Sequence, residues 1–371
     1  MTPPFVDSLL LSHVRRKARL KPVRPLEQLR LGDVRRVLVV LTTGLGDAIL
    51  STPVLPALRA ALPHADIRLF CRAAWGPLFV ADQDLSAVIP YWGKYRQFFS
   101  TLRALRDFSP ELTVVLHGND PDILPLCYLS GSPFIVRIPT TGTRYGFLLS
   151  NRDRAADRTT LPLLHYIENR LRILDTLGVA TLGNSPRVFL DKSVSRKSEA
   201  MLRGEIGAGP YWVMHVYAAD AYKVWPVEKV RQLLEQARLS WPSHSIVLTG
   251  GALDRDRLAT LASGIRGVHN FAGRLDIAGT AAVLGDAACV VAPDTGIGHL
   301  ASALDVPVIS LYAPTFAALI GPRARSASPI ILQKPRTCEP CVEKQCPYTP
   351  KNCMDQIGVD EVFSALGHTL H

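Results

Sequence analysis

The sequence is short of acidic residues, of cysteine and of long apolar runs, and each shortage excludes a class of protein. Thirty-two Asp and Glu stand against 42 Lys and Arg, and the excess is uneven: up to Arg36, nine basic side chains meet only Asp7, Glu27 and Asp33. No window approaches the roughly eighteen uninterrupted apolar residues of a spanning helix, so none is expected. The apolar triplet Leu9, Leu10 and Leu11 is closed within a few residues by Arg15, Arg16 and Lys17, which also argues against a cleavable signal peptide. Seven cysteines in 371 residues are too few for a disulfide scaffold, and the cytoplasm is the expected compartment. The basic region lacks the interleaved aromatics of a base-stacking surface, and no DNA-reading motif follows it, so nucleic acid is not an expected partner. Low-complexity tracts and solenoid repeats are missing too.

What is present is a globular composition, 47% hydrophobic and 20% charged, in a chain long enough for two domains. Residues 1–35 read as a basic N-terminal extension, either a solvated arm or a segment attracted to an anionic membrane surface or a phosphate-rich ligand. The apolar, β-branched run Arg36–Leu41 ends in TTGLGD and reads as a buried parallel strand. AILSTPVLPALRAALP then has helical spacing to about Pro63, and ADIRLFCR reads as the next strand. LTVVLH (112–117), FIVRI (134–138) and a helix over 163–177 ended by Gly178 follow. After a polar stretch near 183–194 the alternation restarts, with strands expected at 212–216, 245–249, 268–272, 289–293 and 306–312. Alternating strands and helices predict two doubly wound α/β domains, 36–190 and 191–371, with ligands at the carboxyl ends of the strands and the halves facing a cleft.

Several residues at such strand ends could carry chemistry. Gly44 and Gly46 allow a tight turn and close backbone approach, but Ile49 occupies the third glycine position of a dinucleotide fingerprint, which speaks against a dehydrogenase. Asp47 is read either as a helix N-cap or as a carboxylate able to take a proton from a hydroxyl. In APDTGIGHLASAL a strand runs into Asp294, Thr295 and Gly296 at a helix start, an arrangement suited to a pyrophosphate, with His299 one turn further on. Lys223 of KVWP is a mobile point charge suited to a leaving diphosphate, or an ordinary surface lysine. Asp254 of GGALDRD would accept from sugar hydroxyls or cap a helix. Asp120 and Asp122 form a DxD that reads as a metal–diphosphate ligand pair or as a simple turn around Pro121.

The segments GDAILSTPVLPALR, KVWP, DTGIGHLASALDVPVISLYAPT and CEPCVEKQCPYTPKNCM together resemble glycosyltransferase family 9, the ADP-heptose:lipopolysaccharide heptosyltransferases. The likeness runs from about residue 36 to the C-terminus, and the cysteine spacing is similar to the heptosyltransferase II branch. It implies a GT-B fold of two Rossmann-like domains, with acceptor on the first, nucleotide sugar on the second and no metal in the transfer step. It implies inverting heptose transfer from ADP-heptose to a lipopolysaccharide core or lipid A acceptor. Asp47 then matches the catalytic carboxylate, and Lys223, Asp294, Thr295, Gly296, His299 and, less closely, Asp254 match donor-binding positions. Ala218 and Ala219 depart from the pattern, since members often carry hydroxyl or small polar residues there.

Cys338, Cys341, Cys346 and Cys353, within the Cys-rich segment 338–353, have a spacing open to two readings: a tetrahedral structural site for zinc or iron, or a thiol-rich loop. Rival functions are a same-fold transferase using another nucleotide sugar or a protein or small-molecule acceptor, and a nucleotide-binding scaffold at the membrane surface. The expected location is cytoplasmic, peripheral on the inner face of the cytoplasmic membrane.

Overall fold

The computed structural model describes residues 4–156, 162–313, 315–338 and 353–370. The chain divides into two units, residues 1–184 and 185–371.

In the first unit α1 (Pro4–Leu20) precedes β1 (Arg36–Leu41), α2 (Leu45–Leu50), α3 (Val54–Ala61), β2 (Asp66–Arg72) and β3 (Ala87–Tyr91). Then come α4 (Phe98–Phe108), β4 (Leu112–His117), α5 (Ile123–Leu129), β5 (Phe134–Arg137) and α6 (Tyr166–Leu177). The sheet is parallel with order β3-β2-β1-β4-β5. Val37 to Leu41 of β1 are all fully buried, because helices cover both faces of a parallel sheet. Strand order reverses between β1 and β4, and at such a point the loops leaving neighbouring strands diverge to opposite faces and open a crevice. At the end of that pair the register slips between Val40 and Leu41, so that Leu41 meets His117 and Leu116 is skipped. A bulge of this kind re-aims the side chains around it.

The helix expected over residues 48–63 is two helices. Ser51 Oγ donates back to Asp47 O at 2.7 Å and Thr52 Oγ1 to Ile49 O at 2.8 Å, and Pro53 has no N–H to continue the ladder. The helix expected from residue 163 begins at Tyr166, after His165 Nδ1 accepts the Ile167 N–H. Two edge strands escaped the sequence reading, β3, which holds Pro90, and a short one in the second unit. Residues 4–35, set apart on charge alone, fold onto the first unit: Val14 and Val23 are buried in its core, and Tyr128 Oη donates to Lys21 O at 2.8 Å.

The second unit runs α7 (Lys192–Ile206), β6 (Tyr211–His215), α8 (Val227–Ser240), β7 (Ser245–Thr249), α9 (Arg255–Ala262) and β8 (Val268–Asn270). It continues with α10 (Ile277–Gly285), β9 (Val290–Pro293), α11 (Gly296–Ala303), β10 (Val308–Tyr312), α12 (Ala317–Ile320), β11 (Ile330–Gln333) and α13 (Val359–Leu370). Its parallel sheet has the order β11-β10-β9-β6-β7-β8, with the reversal between β6 and β9. The division falls at 184/185, ahead of the 190/191 drawn from the sequence, because the extended segment before α7 already belongs here: Val188 N donates to Ala303 O at 3.3 Å. Among the described residues no helix is long and apolar enough to cross a membrane.

Candidate active site

Each unit gathers its polar, chemistry-bearing side chains at its own reversal point. In the first, TTGLGD leaves β1 and turns into α2. Gly44 holds the N-cap with extended backbone, so the N-cap reading of Asp47 does not hold; Asp47 lies in the first turn. Neither Gly44 nor Gly46 takes a positive φ. A Cβ at Gly44 would stand 4.0 Å from Asp47 Oδ2, an ordinary van der Waals contact.

Asp47 is held from two sides. Its Oδ2 accepts from Thr43 Oγ1 at 3.1 Å, and its Oδ1 lies 3.9 Å from Arg170 Nη2 on α6. The Arg170 side chain is largely buried and lies with its guanidinium 5.5 Å from the centre of the Tyr166 ring. His117, delivered by the bulge at the end of β4, completes the group. Burial pushes its imidazole down to about 4, the Arg170 charge adds to this and Asp47 opposes it, so the ring is neutral near pH 7. Among the described residues neither His117 Nδ1 nor Thr42 Oγ1 has a hydrogen-bond partner, although both are buried. A Cβ at Gly118 would come within 2.7 Å of Thr42 Oγ1, so glycine is required there. Buried polar atoms without partners are costly and mark a place for a polar ligand.

The DxD resolves into structure. Asp122 accepts from Tyr91 Oη and from the Tyr95 N–H, both at 2.8 Å, and Asp120 accepts from Tyr91 Oη at 2.9 Å while pairing with Arg72 at 3.3 Å. These partners use the carboxylates to pin the turn after β4.

In the second unit Asp294 and Thr295 follow β9, and Lys223 lies in the short turn after β6. Lys223 Nζ reaches Asp294 Oδ2 at 2.8 Å, and Thr315 Oγ1 donates to the same oxygen at 2.8 Å. Burial lowers the affinity of Lys223 for its proton, but Asp294 outweighs it, so the ammonium is held above its ordinary value. Thr295 is the N-cap of α11, yet its hydroxyl makes no cap bond and is buried without a partner among the described residues. The first turn of α11, from Gly296, thus presents backbone N–H groups beside an ammonium and an unused hydroxyl, a site suited to an anion. His299 is buried one turn inside the helix. Asp254 accepts the Gly251 N–H at 2.8 Å and closes a capping box, with its charge also felt by His215. Ala218 and Ala219 lie between β6 and the short turn that holds Lys223.

Of the four clustered cysteines, Cys341 and Cys346 lie outside the described residues. Cys353 is buried and its Sγ accepts the Thr337 N–H at 3.1 Å; Cys338 is half-buried.

Sequence reading missed Thr43, His117, Arg170 and Thr315. His117 had a usable signal, a polar residue closing an apolar strand at its carboxyl end. Thr315 lay within a segment quoted for its likeness but carried no assignment, and Arg170 sits mid-helix, where spacing gives no hint.

The chain as a whole is similar to known proteins. The chain is 29% identical over 345 residues to lipopolysaccharide heptosyltransferase 1 of Pseudomonas aeruginosa, covering 85% of this chain and 88% of that one. A family 9 glycosyl transferase from Veillonella parvula superposes with a TM-score of 0.76 at 19% identity, over 92% of this chain and 98% of the other. The E. coli ADP-heptose lps heptosyltransferase II superposes with a TM-score of 0.70 at 19% identity, over 90% and 98%. These likenesses make the fold GT-B. With the sequence profile of glycosyltransferase family 9 (heptosyltransferase) matching residues 131–352, the chain belongs to that family.

Proposed function

We propose that this enzyme transfers a heptose from ADP-heptose to a hydroxyl of the lipopolysaccharide core, with inversion at the anomeric carbon. The observation that carries the reading is the anion-ready site of the second unit: the Lys223 ammonium, the Thr295 hydroxyl, which has no partner among the described residues, and the first turn of α11 lie together at the strand reversal. Support for the donor and acceptor comes from the heptosyltransferases among its relatives, whose types 1, 2 and 3 all occur, so no particular core position is assigned.

In the proposed reaction the first unit binds the acceptor and Asp47 takes the proton of its attacking hydroxyl. The new C–O bond forms at the anomeric carbon as the bond to the diphosphate breaks, and the departing electron pair is left on the nucleoside diphosphate. Lys223 and the amides of Thr295 and Gly296 stabilise that growing charge, and these protein groups supply the neutralisation without a metal in the transfer step. Arg170 orients the Asp47 carboxylate. Neutral His117 and the Thr42 hydroxyl orient a sugar hydroxyl beside it. His299 and Asp254 bound the donor pocket. The enzyme works in the cytoplasm, peripheral to the membrane face that carries its lipid-linked acceptor.

The test is direct. Purified chain is incubated with ADP-heptose and heptose-deficient lipopolysaccharide, and release of ADP is followed together with the gain of one heptose in the acceptor mass. NMR of the product linkage reads the stereochemistry. Absence of heptose gain with every core acceptor overturns the reading. A panel of nucleotide sugars probes the second reading, a different donor, which the alanines at 218 and 219 favour.

A further inference from the structure

Helix α1 has two unlike faces. Leu10, Leu11, Val14 and Ala18 pack on the core of the first unit, and Asp7 turns inward to Arg144 at 3.6 Å and Lys94 at 3.9 Å. The opposite face carries Phe5, Leu9, Arg16 and Leu20, which fall in line at helical spacing. Phe5 is 69% exposed, Leu9 54% and Leu20 85%. Beside the N-terminal half of α1, Phe98 and Phe99 open α4, with Phe99 84% exposed and Arg103 one turn beyond it. Phe5, Leu9, His13, Tyr95, Phe98 and Phe99 enclose an apolar groove of about 450 Å³. From Ser8 to Leu26 there is no acidic residue, while Arg15, Arg16, Lys17, Arg19, Lys21 and Arg24 all fall in that stretch. Lys17, Lys21 and Arg24 also border a second hollow, between the end of α1 and α5.

We propose, building on the reading of a lipid-linked acceptor, that this face is a membrane-insertion surface: Phe5, Leu9 and Phe99 enter an anionic bilayer while Arg16, Lys17 and Arg19 contact its phosphates. The occupant is set by charge. A row of exposed large apolar side chains beside an uninterrupted cationic run matches the boundary of a bilayer, whose hydrocarbon takes the rings and whose headgroups take the cations. The face is about 22 Å long from Phe5 to Leu20, enough for both layers of contact along one helix. Because α1 is docked through its other face, insertion needs no unfolding of the unit, and the ordering cost of an isolated amphipathic segment is already met.

The experiment is flotation of the full chain with phosphatidylglycerol/phosphatidylcholine vesicles and with phosphatidylcholine alone. Wild type is expected to float with the anionic vesicles and remain below with the neutral ones. The variant Phe5→Ser/Leu9→Ser/Phe99→Ser is expected to lose binding by roughly tenfold or more. Arg16→Gln/Lys17→Gln/Arg19→Gln is expected to lose roughly fivefold per charge removed. Circular dichroism and ADP-heptose affinity, both unchanged, establish that the variants are folded. Wild type that fails to bind, or either variant binding like wild type, overturns the proposal. So does a loss of self-association in the apolar variant, read by light scattering, with vesicle binding intact, because the face then belongs to a second copy of the chain. A delipidated core acceptor separates the two readings: if wild type floats but never glycosylates it or lipopolysaccharide, heptosyl transfer fails and the insertion surface stands.

Discussion

Lys223 Nζ stands 2.8 Å from Asp294 Oδ2, and the two residues reach each other from the loops that leave β6 and β9. The pair therefore spans the strand reversal of the second unit and ties its two loops together at the place proposed for the donor diphosphate. Lys223→Gln leaves the Asp294 carboxylate buried without its ammonium, and breaking such a pair costs about 3 kcal/mol. The unit is expected to unfold at lower urea and to bind ADP-heptose more weakly by calorimetry. Lys223→Gln/Asp294→Asn is expected to regain much of the stability without regaining donor affinity.

Asp47→Asn keeps the shape of the first unit but removes the carboxylate proposed as its base. Transfer is expected to fall about 10²–10⁴-fold, the range contributed by a positioned general base, with ADP-heptose affinity unchanged. Arg170→Gln is expected to lower kcat while leaving the donor KM as it was. Since Arg170 acts through Asp47, the double variant should be no slower than Asp47→Asn alone. Strictly additive losses would separate the two residues.

The tryptophan of KVWP has a structural task. Trp225 is buried and its Nε1 donates to Ile357 O at 3.1 Å, fastening the segment before α13 to the start of α8. Trp225→Ala is expected to lower stability by about 3–5 kcal/mol. Trp225→Phe, which keeps the packing but not the bond, should cost nearer 1 kcal/mol. Urea midpoints of the two variants check the order.

Two histidines make stability fall with acid. Burial pushes both His117 and His215 down to about 4 in the folded chain, against an ordinary value of about 6.5. Between those values the unfolded chain holds protons the native one excludes, so stability present above about pH 6.5 is lost as pH falls toward 4 and levels below it. Each contributes on the order of 3 kcal/mol across the whole window. His117→Gln should flatten the urea midpoint against pH across that window, and a slope identical to wild type would remove the assignment.

The central strands and their parallel pairing were legible because apolar, β-branched runs ending in glycine or aspartate are what a parallel sheet covered on both faces demands. The edge strands were not: β3 carries Pro90, tolerated only where one ladder of hydrogen bonds is missing. The break between α2 and α3 was hidden because Ser51 and Thr52 fit a helical pattern, and only their hydroxyls turned onto backbone carbonyls reveal the stop. Asp47, Lys223, Asp294 and Thr295 were visible as polar residues at the ends of apolar strands. Arg170 was not, since its partner lies 123 positions earlier in the sequence and nothing in local spacing connects them.

The strand reversals have an engineering consequence. Both units gather polar side chains at one rim of a sheet, on strand ends and on the loops and helix turns beside them, whereas β1 and its neighbours bury their apolar residues beneath. Rim and frame are therefore separable inheritances: a loop can be exchanged for one with another sugar preference while the layers under it keep folding. Retargeting such a scaffold is a matter of grafting at two addresses, after β1 and β4 in one half and after β6 and β9 in the other.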